Sequence, residues 1–250
     1  MKEQLHTIPV NEAFASGDEC PFCYLERQAE QSAIRYAAGP AASYMEPDFR
    51  AVTDKTGFCR KHTQSLFDFG NALGAALIMQ SHLMTLRENL HQEIETFETP
   101  AKRGLFFKKH PAQEDSLSRR IQSQVDRCFI CERMEDTMER YYQTFFAMIK
   151  DPEFRTQVEN SKGFCMRHFG QLLEKAEQSL PNSQREWFYG EVFALVEENL
   201  RRVQEDLDWL VCKYDYRYLQ ADWKNSRDAL QRSMQKIAGI YPADKPYKND

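Results

Sequence analysis

The sequence has no apolar run long enough to cross a lipid bilayer. Its longest nearly unbroken apolar stretch covers residues 72–79 and is interrupted by Gly74, whereas a transmembrane helix needs about 20 apolar residues. The segment Met1–His6 lacks the apolar region of a secretory signal peptide. The alternation of apolar and polar residues that indicates β-strands is almost absent. We therefore expect a cytoplasmic, all-α protein.

Motifs that identify common enzymes are also missing. The chain contains no P-loop, no G-x-S-x-G turn, no H-E-x-x-H signature and no dinucleotide-binding glycine pattern. Its formal charge of −5 disfavours broad attraction to nucleic acid, because that attraction depends on Lys and Arg neutralising phosphates. The sequence thus favours a role without catalysis, and a metal-dependent enzyme or redox protein stays as an alternative.

What the sequence does contain is a hexapeptide that occurs twice. Gly57–His62 reads G-F-C-R-K-H, Gly163–His168 reads G-F-C-M-R-H, and each copy lies downstream of a C-x-x-C pair. Six of the seven cysteines and two of the six histidines fall into two matching sets. The first set is Cys20, Cys23, Cys59 and His62; the second is Cys128, Cys131, Cys165 and His168.

Each set has the composition of a closed zinc site. Three thiolates and one imidazole complete a tetrahedral shell, whereas a catalytic zinc keeps one position open, so the ligand count predicts two structural ions. Cys and His three residues apart share a helix face, and thiolates are stabilised at helix N-termini. Gly57 and Gly163 allow a tight backbone turn before the cysteine. We expect each ion to join the two motifs of one repeat.

Other chemistries of cysteine fit the pattern less well. Disulfide frameworks belong mostly to small secreted domains, and haem attachment fails because Tyr24 and Glu132 stand where C-x-x-C-H requires histidine. A thioredoxin-like dithiol lacks its βαβ surroundings. Two alternatives stay open, namely an iron–sulfur cluster, which also uses thiolates, and buried free thiols with incidental histidines.

The two repeats organise the predicted domains. We predict a first helical metal-binding module over 1–98, a linker over 99–115, a second module over 116–211 and a C-terminal helical extension and tail over 212–250. The two homologous modules are expected to pack as one pseudo-symmetric helical bundle. Residues 1–17 are predicted to be a loosely ordered lead-in, Ser183 to cap a very long helix, and the tail to be helical to about Gly239.

The duplicated motifs carry a resemblance to a known family. The C-x-x-C pair at Cys20, the acid-Pro-acid-Phe-Arg segment at Glu46–Arg50 and the G-F-C-x-x-H motif at Gly57–His62 resemble an uncharacterised bacterial family with a domain of unknown function. Some of its members are labelled ABC transporter substrate-binding proteins. The resemblance covers most of the chain and implies a cytoplasmic bacterial protein without an established activity.

Two kinds of partner follow from these features. The closed ligand sets favour a binding or adaptor protein whose metals shape a helical surface for a protein partner. A nucleic-acid-binding regulator is the alternative, because basic residues surround Phe106 and Phe107 in the linker. Those basic residues are Lys102, Arg103, Lys108, Lys109 and His110. Cys212 has no place in the repeated pattern and is predicted to be a buried thiol. Oligomeric state does not follow from the sequence.

Overall fold

A computed structural model describes residues 5–41, 43–97 and 116–242 of the chain. Within these ranges the protein contains eleven α-helices, two short 3₁₀ turns (Ser43–Met45 and Tyr216–Tyr218) and no β-strand. The helices are α1 (Ile8–Ala15), α2 (Pro21–Ala38), α3 (Pro47–Thr56), α4 (Arg60–Asp68), α5 (Ala72–Glu95), α6 (Leu117–Asp126), α7 (Phe129–Met148), α8 (Pro152–Glu159), α9 (Met166–Ser179), α10 (Asn182–Cys212) and α11 (Ala229–Ala238). The predicted all-α class is confirmed. None of these helices has a stretch long and apolar enough to span a membrane.

Helices α3 and α8 begin at two matching acid-Pro-acid-Phe-Arg segments, Glu46–Arg50 and Asp151–Arg155. Pro47 and Pro152 occupy the first turn, where the missing N–H costs nothing and the fixed φ suits a helix. The Asp151 side chain accepts a hydrogen bond from the backbone N–H of Glu153 at 2.9 Å. This capping bond satisfies one of the orphan amides at the start of α8.

The lead-in segment is more ordered than predicted. Residues 1–17 are predicted to be loosely ordered, but Ile8–Ala15 form α1, and Pro9 lies in its first turn, a position that tolerates proline. Val10, Ala13 and Phe14 are spaced three and four residues apart and are buried. Burial of this helix face stabilises α1 more than the local sequence alone would.

The C-terminal segments also differ from the prediction. Pro181 is the N-cap residue of α10, so Ser183 lies inside the helix. The tail is not continuously helical, because no α-helix lies between Cys212 and Ala229. The Lys213 ammonium donates to three carbonyls of this segment, those of Tyr218, Leu219 and Ala221, at 2.7, 2.9 and 2.6 Å. These bonds fold the chain back after α10.

The chain divides into two compact units. Among the described residues, unit 1 comprises those up to Ala29 and those from Asp136 onward, and unit 2 comprises Glu30–Glu135. The unit boundaries fall within α2 and α7. Each unit therefore contains residues from both sequence repeats. The module boundaries predicted at residues 98, 115 and 211 remain predictions.

Aromatic residues of the cysteine motifs anchor the core of each unit. In unit 1, Phe22 and Phe164 are fully buried with ring centroids 6.0 Å apart, and Phe22 stacks on Tyr142 at 4.5 Å. In unit 2, Phe58 and Phe129 pack edge to face at 6.3 Å. Full burial of Phe22 and Phe164 contributes about 1.5–3 kcal/mol each, and the half-buried Phe58 and Phe129 contribute less. These contacts help to fix where the adjacent cysteines lie.

The two motif glycines have the backbone conformation that the sequence suggests. Gly57 has φ +62° and Gly163 has φ +73°, a region that residues with a Cβ rarely adopt. A Cβ on Gly57 would lie 2.8 Å from Nε2 of His82. The imidazole of His82 is held at this place by the Asp54 carbonyl, which lies 3.0 Å from Nδ1.

We predict that Gly57→Ala lowers the free energy of unfolding by about 1–3 kcal/mol, because the backbone would be strained and the new methyl group would meet His82. The matched control is Gly190→Ala, which lies within α10 with open space around it. That change should raise stability by up to about 1 kcal/mol. Urea unfolding measures both variants, and equal effects would contradict the conformational requirement at Gly57.

Candidate metal centres

The structure gathers the eight predicted ligands into two groups. Centre A consists of Cys20, Cys23, Cys165 and His168, and centre B consists of Cys59, His62, Cys128 and Cys131. The ligand atoms of each group lie within 4.8 Å of one another. Centre A lies in unit 1 and centre B in unit 2. Each group has the donor set of three cysteines and one histidine that the sequence predicts.

The grouping of the motifs differs from the prediction. The sequence suggests that Cys20 and Cys23 join Cys59 and His62 of the same repeat, but each centre combines the C-x-x-C pair of one repeat with the hexapeptide of the other. The repeats are chemically equivalent, so ligand type cannot distinguish the two pairings. Core packing selects the observed pairing, because Phe22 packs against Phe164 and Phe58 packs against Phe129, in each case across the two repeats. A backbone bond from Phe129 N–H to the Gly57 carbonyl, 3.0 Å long, links the motifs of centre B.

Helix N-termini supply the cysteines. Cys59 and Cys165 are the N-cap residues of α4 and α9, and Cys20 and Cys128 immediately precede α2 and α7. The backbone N–H of His168 donates to the Cys165 sulfur at 3.4 Å. The amide dipoles at these helix ends favour negative charge on the sulfur atoms.

In centre A all three sulfurs surround one ring nitrogen. His168 Nδ1 lies 3.4 Å from Cys20 Sγ, 3.4 Å from Cys23 Sγ and 3.2 Å from Cys165 Sγ. The Cys23 and Cys165 sulfurs are 3.6 Å apart. All four side chains are buried.

Centre B repeats this arrangement. His62 Nδ1 lies 3.3 Å from the sulfur of each of Cys59, Cys128 and Cys131. The Cys59 and Cys131 sulfurs are 3.9 Å apart. His62 and Cys128 are buried, Cys59 is half-buried and Cys131 is exposed.

These distances match the edges of a tetrahedron around one metal ion. Zn–S bonds of about 2.3 Å and Zn–N bonds of about 2.0–2.1 Å give S···S edges of about 3.8 Å and S···N edges of about 3.5 Å. Hydrogen bonding alone does not explain the geometry, because one ring nitrogen carries either one proton or one lone pair. A single cation at the middle of each group would satisfy all four donors.

In centre B the shifts in pKa favour a positive charge on the His62 imidazole and a negative charge on the Cys128 sulfur. Burial disfavours protonation of His62, but its contacts with Cys128 and Glu30 raise its pKa to about 9. Burial also disfavours the Cys128 thiolate, yet His62 and the backbone amides of Cys59 and Cys131 lower the pKa of Cys128 to about 6. Burial and the nearby Cys128 charge raise the pKa of Cys131 to about 12. A metal that binds here competes with protons, so its affinity rises with pH.

Centre A shows the same separation of charge. Hydrogen bonds from Cys20 and Cys23 lower the pKa of Cys165, and the bond to Cys165 raises the pKa of Cys23. Burial opposes protonation of His168, but Cys165 and Cys20 raise its pKa to about 10. A cation in this group would bring positive charge to sulfurs that the core isolates from water.

Two carboxylates of α2 lie beside the histidines of the centres and were not predicted from the sequence. Glu30 Oε1 lies 2.9 Å from His62 Nε2 and 2.6 Å from the Lys61 ammonium. Glu26 pairs with Arg167, and its Oε2 lies 3.7 Å from His168 Nε2. A carboxylate behind a ligating histidine fixes the ring and its tautomer. The sequence does contain a pattern that could have revealed them, because Glu26 and Glu30 lie three and seven residues after Cys23 and therefore share a helix face with it.

The other predicted features lie outside the two groups. Cys212 belongs to neither centre, and it is half-buried rather than buried as predicted. The basic linker residues 102, 103 and 108–110 fall outside the described residues, as does the whole predicted linker 99–115. The structure therefore leaves the role of that linker as a sequence prediction.

The observed grouping makes a prediction that the alternative pairing does not share. If Cys20 and Cys165 serve one centre, the double variant Cys20→Ser/Cys165→Ser should keep one metal ion per chain, like either single variant. Cys20→Ser/Cys59→Ser should keep none, because both centres lose a ligand. Elemental analysis of the purified variants measures the content, and Cys212→Ser is the control that should keep both ions. The reverse outcome for the two double variants would restore pairing within repeats.

We predict that Glu30→Gln lowers the affinity of centre B for Zn²⁺ by about 10-fold to 100-fold, because His62 loses its charged partner. Glu26→Gln is the matched control in centre A and should have a smaller effect, since its oxygen lies beyond hydrogen-bonding distance of His168. Competition with a chromophoric chelator measures both affinities. A larger loss from Glu26→Gln, or no loss from Glu30→Gln, would contradict the roles inferred for these carboxylates.

Comparison with known proteins adds a family but no activity. An uncharacterised 23.9 kDa protein from Caldicellulosiruptor sp. (strain Rt8B.4) is 24% identical over 209 residues, which cover 82% of this chain and 87% of that protein. No solved structure matches the chain. The model of a family of unknown function, DUF6062, matches residues 1–244. The chain therefore belongs to the DUF6062 family.

Proposed function

We propose that the protein binds two zinc ions, one in each centre, and that these ions hold a helical scaffold that acts as a binding or adaptor module. The observation that carries this proposal is the approach of three cysteine sulfurs to one histidine nitrogen, at 3.2–3.4 Å in both units. Thiolate and imidazole donors in tetrahedral array are the ligands typical of structural zinc.

The distances favour a single ion over an iron–sulfur cluster. A cluster distributes its cysteine ligands over different irons, which keeps the sulfurs from converging on one point. Here every ligand atom of a centre lies within 4.8 Å of every other. One mononuclear ion fits this space, and Zn²⁺ is the ion that most commonly takes this donor set.

The ligand count favours a structural over a catalytic role. All four tetrahedral positions are occupied by protein atoms, so a bound ion has no position for water or substrate. In centre A the ligands are also buried, which denies a substrate access to the ion. An ion here would link α2 to α9, and in centre B an ion would link α4 to α7.

Exposed apolar surface in unit 2 supports the adaptor role. A cleft of about 710 Å³ between α5 and α6 is lined by apolar and polar side chains. The apolar ones are Leu86, Leu90, Leu117, Ile121 and Val125. Apolar clefts with a polar rim are typical of surfaces that bind other molecules. We propose a protein partner for this surface.

Binding of nucleic acid has less support. Arg201 and Arg202 on α10 could offer positive charge to phosphates, but the guanidinium of Arg202 donates to Glu19 Oε2 at 2.6 Å. The pairing reduces the positive charge that this face offers to phosphates. The second basic segment, around Phe106 and Phe107, lies outside the described residues.

Removal of the metal tests the proposal. Protein purified without added metal should contain two zinc ions per chain and be colourless. Extraction by a strong chelator should reduce helical circular dichroism and thermal stability, because structural zinc contributes on the order of 10 kcal/mol to folding in small zinc peptides. Re-addition of Zn²⁺ should restore both signals. Protein that is free of metal yet fully folded, or that carries iron and visible absorbance, would contradict the proposal.

The same preparations test the adaptor role. The zinc-loaded protein, immobilised and exposed to extract of its own cells, should retain a defined protein that the chelated form loses. Leu90→Asp/Val125→Asp should lose that protein while keeping two zinc ions. The matched control is Val211→Asp, an exposed apolar position outside the cleft, which should retain it. Equal retention by all forms would rule out the cleft as the docking surface.

A further inference from the structure

The two centres have the same ligands but differ in their access to solvent. In centre A, Cys20 and Cys165 are 0% exposed and Cys23 is 1% exposed. The carbonyl of Gly239, at the end of α11, lies 3.5 Å from the Cys23 sulfur and adds a further layer. In centre B, by contrast, Cys131 is exposed and Cys59 is half-buried.

The two accessible sulfurs of centre B are also close to each other. Cys59 Sγ and Cys131 Sγ lie 3.9 Å apart, so formation of a disulfide requires an approach of about 2 Å to reach the bonded distance. Cys59 is the N-cap of α4 and Cys131 lies in the first turn of α7. Helix ends can adjust by such a distance more easily than buried helix interiors, because their backbone bonds are incomplete.

We propose that centre B is a site of oxidation by hydroperoxides, in which Cys131 reacts first and Cys59 resolves it. This inference rests on the proposed zinc occupancy. Centre A would hold its ion permanently. Centre B would hold its ion only while Cys59 and Cys131 are reduced.

The chemistry balances with the hydroperoxide as the oxidant. A zinc ion in centre B would hold Cys131 as a thiolate, although the pKa of its free thiol is raised to about 12. That thiolate attacks one peroxide oxygen, the O–O bond breaks, and the departing oxygen takes a proton to leave as water or an alcohol. This step produces a sulfenic acid on Cys131. The Cys59 thiolate then attacks the Cys131 sulfur, forms the S–S bond and displaces hydroxide, which a second proton converts to water.

A bound ion would be released, because the oxidation removes two of its four ligands. Two thiolates give up two electrons to the peroxide, and the resulting disulfide sulfurs are poor ligands for Zn²⁺. Only Cys128 and His62 then remain to hold the ion, and two donors do not complete a tetrahedron. In centre A the same reaction is blocked, since a peroxide cannot reach sulfurs that are excluded from solvent.

The test uses the full-length, zinc-loaded protein. Metal content is measured first, then hydrogen peroxide is added in the presence of a chromophoric zinc chelator, and non-reduced peptides are mapped by mass spectrometry. We expect release of one zinc ion per chain, retention of the second, and a Cys59–Cys131 disulfide. Cys20, Cys23 and Cys165 should stay reduced at the same exposure.

A second variant separates oxidation from simple loss of the ion. Cys131→His keeps four ligands in centre B but removes the exposed sulfur. It should bind two zinc ions and release the first at least about tenfold more slowly under peroxide, because the reactive thiolate is gone. Unchanged release from this variant would overturn the assignment of Cys131.

The outcomes distinguish this inference from the proposed function. Protein that contains no zinc before peroxide is added would refute both. Two zinc ions that are lost together, that are lost first from centre A, or that are not released at all would overturn the oxidation site and leave the structural role of zinc intact.

Discussion

The convergence of three cysteine sulfurs on one histidine nitrogen is the constraint on which each unit depends. Thiolates 4 Å apart repel each other by about 4 kcal/mol per pair at an effective dielectric constant of 20, so a centre with several of them needs a cation. With Zn²⁺ the three thiolates leave a net charge of −1. Lys61 and Arg167 do not cancel it alone, because each is paired with a glutamate of α2.

The arrangement of the helices brings the ligands together at a low cost in free energy. The cysteines lie at helix starts, where amides already favour negative sulfur, and the histidines follow Cys59 and Cys165 by three residues, on the same side of α4 and α9. Phenylalanines inside the motifs fill the adjacent core. Each ion would thus tie together helices that the hydrophobic core has already brought near one another. The same design yields a closed centre A and an accessible centre B, because solvent access depends on the surrounding helices and not on the ligands.

Much of this could be read from the sequence, for physical reasons. The all-α class followed from the near absence of the alternation that indicates β-strands, and the eight candidate ligands followed from the spacing of the repeated Cys and His motifs. The positive φ of Gly57 followed from the tight turn that precedes Cys59. These features are local, and local chemistry determines them.

The parts that the sequence did not reveal depend on distant contacts. Two equivalent repeats offer two chemically identical pairings, and only the packing of Phe22 with Phe164 and of Phe58 with Phe129 selects one. Helix α1 forms because its apolar face is buried, although the sequence predicts a loosely ordered segment there. Glu30 acquires its role only when His62, 32 residues later, is placed beside it. The exposure of Cys131 likewise depends on what packs around α7.

X-ray absorption at the zinc edge of the purified protein tests the central claim most directly, because it reports the atoms bound to the metal. The two centres together should give, per ion, three sulfurs at about 2.3 Å and one nitrogen at about 2.0–2.1 Å, with no metal–metal distance. A shell dominated by oxygen, a second metal nearby, or the absence of zinc would contradict it.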